Sequence, residues 1–247
     1  MRDRTENQVD SIEIDMDEID LIEKNMNPID ITPIDLILIR HGETPSNESG
    51  KYIGRTDESL SEKGRQRLED GKNAGMYPKE GILVSSPMRR CRETAKLLYG
   101  SEPLLIEEWR EIDFGRFEGK NYKELCGDAD YQAWLDSNGE LPFPEGESRE
   151  EFVLRCRKGL DKLLRMMPDM GSMAMAETES KTEAARYPSV IAAVHGGTIM
   201  ALLSSYGSGG YFDYQCKNGE GYRCLLEISN TGEYSIGMAE RLERKNG

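Results

Sequence analysis

The 247-residue sequence is poor in basic charge, in aromatic residues and in long hydrophobic runs. Its 32 Lys and Arg residues stand against 46 Asp and Glu residues, a formal net charge of −14 at pH 7, which argues against a general nucleic-acid-binding surface. The mean hydropathy of −0.66 and the lack of a long apolar run predict a chain that does not span a membrane. Any anion that binds should therefore occupy a small local pocket.

Cysteine motifs and targeting signals are also lacking. The 5 cysteines contain no Cys-x-x-Cys pair of the kind that ligates zinc, and their odd number and wide spacing predict reduced thiols. The N-terminus is too acidic for a secretory or transit peptide, so the expected location is the cytoplasm. We predict no metal or other cofactor, and the sequence is compatible with a homodimer.

The chain divides into an acidic front and a longer patterned part. Residues 1–33 are rich in Asp and Glu, and their apolar spacing fits neither a strand nor a helix, which predicts a solvated extension. An arm that docks on its own or another subunit is the alternative. Residues 34–247 form one predicted domain, in which the Met-, Ala- and Glu-rich stretch 169–187 is expected to be a flexible insertion.

Strands and helices alternate along this domain. The pattern predicts an α/β fold, a three-layer α/β/α sandwich with a mainly parallel sheet and a ligand site beyond the carboxyl ends of the strands. The predicted strands are 34–39, 81–85, 104–106, 189–194, 222–228 and 234–238. The predicted helices are 61–74, 88–99, 122–125, 130–135, 148–167 and one that follows His195-Gly196-Gly197-Thr198 and runs through Leu203.

Both histidines of the chain follow a buried type of strand. His41 comes after strand 34–39 and His195 after strand 189–194, so the two should meet at one edge of the sheet. Each precedes a glycine, Gly42 or Gly196, where a missing side chain lets a ligand approach the main chain. A single histidine after a strand is commonly structural, but the shared position of two favours a functional site.

Arginines surround the same predicted edge. Arg40 adjoins His41, and a cluster of three, Arg89, Arg90 and Arg92, follows the end of another strand. Guanidinium groups match phosphate oxygens in geometry and charge. Residues so close along a helix cannot all face one pocket, so some of the three must be exposed.

These residues belong to motifs that resemble those of the histidine phosphatases, also called the phosphoglycerate mutase-like superfamily. The resemblance covers about 34–238 and implies the phosphoglycerate mutase-like fold and a catalytic domain over 34–247. The motifs, in order, are Arg40-His41-Gly42-Glu43-Thr44, Gly54-Arg55-Thr56-Asp57, Leu60-Ser61-Glu62-Lys63-Gly64, Ser85-Ser86-Pro87-Met88-Arg89-Arg90 and Val194-His195-Gly196-Gly197.

The resemblance implies a role for each matched residue. His41 would be the nucleophile that accepts the phosphoryl group. Arg40, Arg90 and His195 would stabilise the charge of that group, with His195 as a hydrogen-bond donor, and Asn47 would add a polar contact. Such a set of donors needs no metal.

Further contacts and a proton donor follow from the same likeness. Thr44, Arg55 and Gly196 are candidate substrate contacts within the matched motifs. Glu111 is the expected general acid, and later the base that activates water, with Asp113 as its rival. Glu118 also matches a family position, but a Glu before glycine in a polar loop is more often structural.

The choice within the family favours a phosphatase over a mutase. Tyr122 stands where the mutases carry a lysine, and the segment after it offers Tyr131 and Trp134 in place of paired arginines. Tyr122 and Trp134 are therefore candidate contacts for an aromatic or sugar-like leaving group, although both could be core residues. The motif from Glu111 to Gly119, together with Tyr122-Lys123-Glu124-Leu125, Trp134 and Pro144-Glu145-Gly146-Glu147-Ser148, resembles the α-ribazole phosphatases.

The predicted function is a metal-independent phosphomonoesterase that acts through a phosphohistidine, on α-ribazole 5′-phosphate or a related nucleoside or sugar phosphate. An unassigned phosphomonoester, mutase-type phosphoryl transfer and a catalytically silent phosphate-binding scaffold are the alternatives. The expected partner is a small-molecule phosphomonoester, with no nucleic acid and no membrane.

Overall fold

The structure, a computed structural model, describes residues 33–174 and 188–244, with no side chains for 168–174. The predictions for the acidic extension and for 175–187 lie outside the described residues. Within the described ranges no helix combines the length and the apolar character needed to cross a bilayer.

The described residues form one seven-stranded sheet with the order β3-β2-β4-β1-β5-β6, in which β7 also pairs with β5. Pairing is parallel between β1 and β4, β4 and β2, and β2 and β3, and it is antiparallel wherever β5 takes part. Only β5 therefore runs against the other strands, so the mainly parallel sheet is confirmed. The strands are β1 (Ile34–Arg40), β2 (Ile82–Ser85), β3 (Leu104–Leu105), β4 (Ser189–Val194), β5 (Gly221–Ile228), β6 (Tyr234–Ile236) and β7 (Glu240–Arg241).

Helices cover both faces of the sheet, which gives the predicted α/β/α sandwich. Alternate residues of β1 point to opposite sides of the sheet. Leu36 joins a core cluster with the helices at 149–174 and 196–206, whereas Ile37 packs with Leu68 and Leu98 on the other face. The helices are α1 (Pro45–Glu48), α2 (Glu62–Asn73), α3 (Arg89–Tyr99), α4 (Ala129–Asp136), α5 (Arg149–Ala174) and α6 (Gly196–Tyr206).

Two helix predictions differ from the structure. Residues 122–125 form consecutive turns instead of a helix, because the Asn121 side chain accepts hydrogen bonds from the Lys123 and Glu124 N–H groups. Helix α5 starts as predicted, with Ser148 and Glu151 as a reciprocal cap, but it continues to Ala174 and so takes in the first residues of the predicted insertion.

Candidate active site

The two histidines lie side by side because their strands are neighbours. In the parallel β1–β4 pair, Arg40 is opposite Val194, so the next residues, His41 and His195, emerge together at the carboxyl edge. Their ring centroids are 5.3 Å apart and the rings are 68° from parallel. Strand β2, on the other side of β4, ends at Ser85 and places Ser86 beside His195. The sequence prediction that both imidazoles share one site agrees with this geometry.

His41 is a buried, neutral imidazole with a defined tautomer. Its Nδ1 lies 2.7 Å from the Gly42 carbonyl oxygen, which can only accept, so Nδ1 carries the proton and the lone pair is on Nε2. Burial, with the Arg90 and Arg40 guanidiniums nearby, holds the pKa of His41 well below its usual range. A neutral imidazole with a free ring nitrogen is a competent nucleophile at neutral pH.

His195 is fully buried and contacts polar groups on two sides. Its Nε2 lies 2.8 Å from the Ser86 hydroxyl, and its Nδ1 lies 3.8 Å from a Glu111 carboxylate oxygen. Burial and the positive charge of Arg90 hold the pKa of His195 well below its usual range. The Ser86 hydroxyl also accepts from the Met88 N–H, so it links His195 to the segment that follows β2.

Two arginines bring positive charge without a carboxylate partner. Arg90, 1% exposed, donates only to the main-chain carbonyls of the 53–56 turn, and Arg40 donates to the Cys216 carbonyl at 2.6 Å. Neither forms an ion pair within the described ranges, and the buried Nε of Arg40 has no hydrogen-bond partner there. A buried donor without a partner and two unpaired guanidiniums are what an anion would satisfy. We call His41, His195, Arg40 and Arg90 the anion pocket.

Glu111 has the environment expected of a proton donor. Its side chain is 11% exposed at the edge of the anion pocket, and its desolvation there raises the pKa of the carboxyl against the opposing effect of Arg90. Its rival, Asp113, pairs with Arg55 at 3.0 Å and accepts from the Gly115 N–H. Both oxygens of Asp113 are thus engaged by donors outside the anion pocket, whereas a Glu111 oxygen faces His195 at 3.8 Å, so the geometry favours Glu111.

The glycines after His195 make room for the charged side chains. A Cβ on Gly196 would lie 3.3 Å from the Arg40 guanidinium carbon, and one on Gly197 would lie 2.6 Å from a Glu111 oxygen. Gly196 was predicted as a substrate contact. In the structure, Gly196 lets Arg40 pack closely against the start of α6. A backbone N–H at this helix start remains available to an anion.

Thr44 and Asn47 build the turn after His41. Each accepts a hydrogen bond from the other's main-chain N–H, which caps α1, and Thr44 is fully buried. Asn218 donates both to the Asn47 side-chain oxygen and to the His41 carbonyl, each at 3.1 Å. Asn47 therefore lies within the frame that holds the His41 loop, and its predicted phosphate contact stays a prediction.

A cavity of about 650 Å³ opens beside Glu111. None of the side chains that line it in the described part of the chain is aromatic, and most are charged. We call it the leaving-group cavity. It is lined by Gly54, Arg55, Met88, Glu107, Arg110, Glu111, Asp113, Gly146, Glu147, Glu151 and Arg155.

Of the predicted substrate contacts, only Arg55 is among the described residues that line this cavity. Trp134 packs in a core cluster of aromatic rings, stacked on Tyr131 with 6.2 Å between centroids and tilted against Phe143 at 5.0 Å. Tyr122 is 62% exposed, beside Lys123, and neither aromatic is part of the cavity wall. Trp134 is therefore partly buried among these rings and Tyr122 faces solvent, and the substrate contacts of both aromatics stay predictions.

Several polar residues of the site carried no role in the sequence analysis. Ser86 and Asn218 hold the two catalytic loops, and Arg155 donates to the main chain of Glu108 and Arg110 while it pairs with Glu147 at 2.7 Å. Ser86 lies in a matched motif, which was the available signal. Asn218 and Arg155 lie outside the motifs.

Within the described residues, no group of three or more His, Cys, Asp or Glu side chains is arranged to hold a metal ion. That the reaction needs no cofactor stays a prediction from the chemistry of the donor set.

Paired histidines, arginines without an ion-pair partner in the described ranges and a carboxyl with a raised pKa at the carboxyl edge of a mixed α/β sheet suit phosphoryl transfer. The family model described as "Histidine phosphatase superfamily (branch 1)" matches residues 36–215. The chain therefore belongs to the histidine phosphatase superfamily, and within it the chain is a phosphatase or phosphoglycerate mutase-like protein.

Curated relatives carry names of both kinds. A "Putative phosphoserine phosphatase 2" of Hydrogenobacter thermophilus is 29% identical over 174 residues, which is 68% of this chain and 76% of the relative. A "2,3-bisphosphoglycerate-dependent phosphoglycerate mutase" of Corynebacterium diphtheriae is 33% identical over 130 residues, but that match spans only 47% of this chain and 51% of the relative.

Solved structures share the fold over nearly their whole length. A putative alpha-ribazole-5'-P phosphatase from Escherichia coli covers 87% of this chain and 98% of its own, with a TM-score of 0.63 and 20% identity. A phosphoglycerate mutase from Thermus thermophilus covers 85% and 99%, with a TM-score of 0.57 and 26% identity. The predicted phosphoglycerate mutase-like fold is confirmed.

Proposed function

We propose that this protein is a metal-independent phosphomonoesterase that acts through a phosphohistidine on His41. The observation that carries the proposal is the hydrogen bond from His41 Nδ1 to the Gly42 carbonyl, because it leaves the Nε2 lone pair free beside two unpaired arginines. A nucleophile and a positive pocket without a neutralising carboxylate suit a phosphate dianion.

The reaction follows in two balanced steps. His41 Nε2 attacks phosphorus, the bond from phosphorus to the ester oxygen breaks, and Glu111 gives its proton to the leaving alkoxide. Glu111 then takes a proton from water, the hydroxide attacks phosphorus, and the bond to His41 breaks to release inorganic phosphate. Arg40, Arg90 and His195 stabilise the charge on the transferring group in both steps, and Asn47, Thr44 and the Gly196 N–H are proposed to support it.

The leaving-group cavity bears on the substrate. The sequence resemblance proposes α-ribazole 5′-phosphate or a related nucleoside or sugar phosphate. Trp134 and Tyr122 do not stand in the cavity wall, so this proposal now rests on the motif from Glu111 to Gly119 and on hydrogen-bonding groups for a ribose or sugar. Charged groups of both signs line the cavity, and they suit a polar alcohol better than an aromatic base.

A phosphorylated amino acid is a second candidate. Three ion pairs border the cavity: Arg55 with Asp113, Arg110 with Glu107, and Arg155 with Glu147. A leaving group with one cationic and one anionic group can pair with both signs, and the relative from H. thermophilus bears a phosphoserine phosphatase name. Mutase-type transfer and a silent scaffold remain as alternatives to hydrolysis.

Phosphate release in EDTA tests the proposal. The chain is incubated with α-ribazole 5′-phosphate, O-phosphoserine, nucleoside monophosphates, sugar phosphates and 3-phosphoglycerate, and inorganic phosphate and 2-phosphoglycerate are both measured. Hydrolysis that resists EDTA is the expected result. Isomerisation of 3-phosphoglycerate that outpaces all hydrolysis would indicate a mutase, and no turnover of any ester would indicate a scaffold.

A further inference from the structure

Glu118 takes no part in the proposed chemistry, yet both of its carboxylate oxygens bind main-chain N–H groups. Oε1 accepts from the Thr56 N–H at 2.9 Å, and the two oxygens lie 3.1 and 3.0 Å from the Gly54 nitrogen. Glu118 itself follows the short 3₁₀ turn Gly115–Phe117 and is half-buried. Hydrogen bonds to an ionised acceptor are among the stronger ones, so Glu118 anchors the 53–56 turn from one side.

Arg90 donates hydrogen bonds to the main-chain carbonyl groups of the same turn. The Arg90 guanidinium lies 2.9 Å from the Thr56 oxygen, 3.2 Å from the Gly54 oxygen and 3.4 Å from the Ile53 oxygen. The peptide between Ile53 and Gly54 thus donates to Glu118 and faces Arg90 with its carbonyl. Because a carboxylate and a guanidinium polarise that peptide in the same sense, the two interactions strengthen each other.

The turn also fits closely against the segment that carries the proposed acid. A Cβ on Gly54 would lie 2.0 Å from the Ile112 carbonyl oxygen, so only glycine permits this approach. Ile112 directly follows Glu111, and its N–H donates to a Glu111 oxygen at 3.0 Å. The 53–56 turn is therefore bound by Glu118 and by Arg90, and it packs against Ile112, the residue that follows the proposed proton donor.

We infer that Glu118 is a positioning residue for Arg90, acting through the 53–56 turn. A carboxylate in direct contact with Arg90 would neutralise the guanidinium, whereas one that acts through peptide groups fixes its position and leaves its charge for a phosphate. The inference rests on the proposed function, in which Arg90 binds the transferring phosphoryl group. It assigns Glu118 a role beyond holding a loop.

Glu118→Gln tests the inference with little change in shape. The amide keeps one acceptor oxygen, removes the charge and places an NH₂ group against a main-chain N–H. We expect kcat/KM to fall about 10- to 100-fold, since small displacements of a positioned group are costly. We also expect the affinity for inorganic phosphate, measured by calorimetry, to fall about tenfold, which a loop-holding role alone would not cause.

Glu124→Gln is the matched control. Glu124 likewise accepts a main-chain hydrogen bond, from the Asn121 N–H at 2.9 Å, but its turn is exposed and does not contact Arg90. This variant should keep wild-type turnover and phosphate affinity. Thermal unfolding of both variants shows whether each is folded at the assay temperature, and the measurements are made below the lower Tm.

A double-mutant cycle with Arg90→Lys separates action through Arg90 from an independent effect. If Glu118 acts through Arg90, the double variant should bind phosphate about as weakly as Arg90→Lys alone. Losses that multiply, or a folded Glu118→Gln variant with wild-type phosphate affinity, would overturn the inference, as would a wild-type chain that binds no phosphate. If the wild type binds phosphate but turns over no ester, the proposed function fails while this cycle still decides the role of Glu118.

Discussion

The anion pocket and the leaving-group cavity lie next to each other, but their arginines differ in whether they pair with carboxylates. In the pocket, Arg40 and Arg90 have only carbonyl partners and the histidines are buried, so positive charge is left uncompensated. In the cavity, Arg55, Arg110 and Arg155 each pair with a carboxylate, and the Arg55 side chain is 74% exposed. We therefore expect the chemistry to depend on the unpaired, buried charges of the pocket, and the paired arginines of the cavity to adjust which alcohol is accepted.

The strongest test of this contrast removes the nucleophile from the pocket. His41→Ala should lower kcat by at least about 10⁴-fold, because no other imidazole nitrogen has the same free lone pair. Rapid quenching in base, in which a phosphohistidine survives, should give labelled wild-type protein and unlabelled variant when the substrate carries ³²P. Near-normal turnover, or label on another residue, would contradict the role of His41.

Glu111 lies where the two regions meet, so its effect should depend on the leaving group. Glu111→Gln should lower kcat/KM, which reports the first phosphoryl transfer, by about 10²- to 10⁴-fold on alkyl phosphates, whose alkoxides need a proton, and by much less on p-nitrophenyl phosphate. Asp113→Asn is the matched control and should act equally on both substrates. A leaving-group dependence in the Asp113 variant instead would reverse the assignment of acid and rival.

The pKa shifts predict a bell-shaped profile of activity against pH. His41 must be neutral to attack, and its pKa lies well below the usual 6.5, so activity should fall only as pH drops through that lowered value. Glu111 must be protonated, and its pKa is raised from 4.5, so activity should fall again as pH rises through the raised value. Glu111→Gln should remove the fall at high pH and keep the fall at low pH. A descending limb that survives in Glu111→Gln would show that another group donates the proton.

The smallest effect is expected from a cavity arginine. Arg110 is 53% exposed and pairs with Glu107 three residues before it, so Arg110→Gln should raise KM by less than about tenfold and leave kcat unchanged. Substrates with and without an anionic leaving group, compared at two salt concentrations, measure this effect. A large loss of kcat would mean that the cavity takes part in chemistry and would remove the contrast with the pocket.

The parts of the site that the sequence predicted are those set by strand order. Two apolar runs that each end in a histidine were sufficient to bring His41 and His195 to one edge, because neighbouring parallel strands end together. The motifs located Arg90 among three closely spaced arginines, where residue type alone left the choice open. The same logic predicted the sheet and most helices.

Side-chain direction was the part that the sequence did not determine. Trp134 lies on a short helix whose aromatic face could meet either a cleft or the core, and only the packing of Tyr131 and Phe143 decides for the core. Residues 122–125 look helical by composition, but the Asn121 side chain competes for their N–H groups. Asn218 is 177 residues from the His41 carbonyl that it binds, and no local pattern reports such a contact.

The bond from His41 Nδ1 to the adjacent Gly42 carbonyl has a consequence for how tolerant the enzyme is to change. The acceptor is a peptide oxygen, which every amino acid supplies, so no substitution removes the acceptor atom itself. Substitutions around the site can therefore alter affinity, rate or selectivity while the Nε2 lone pair of His41 stays available for attack. New specificities in such a scaffold can then arise without first rebuilding the nucleophile.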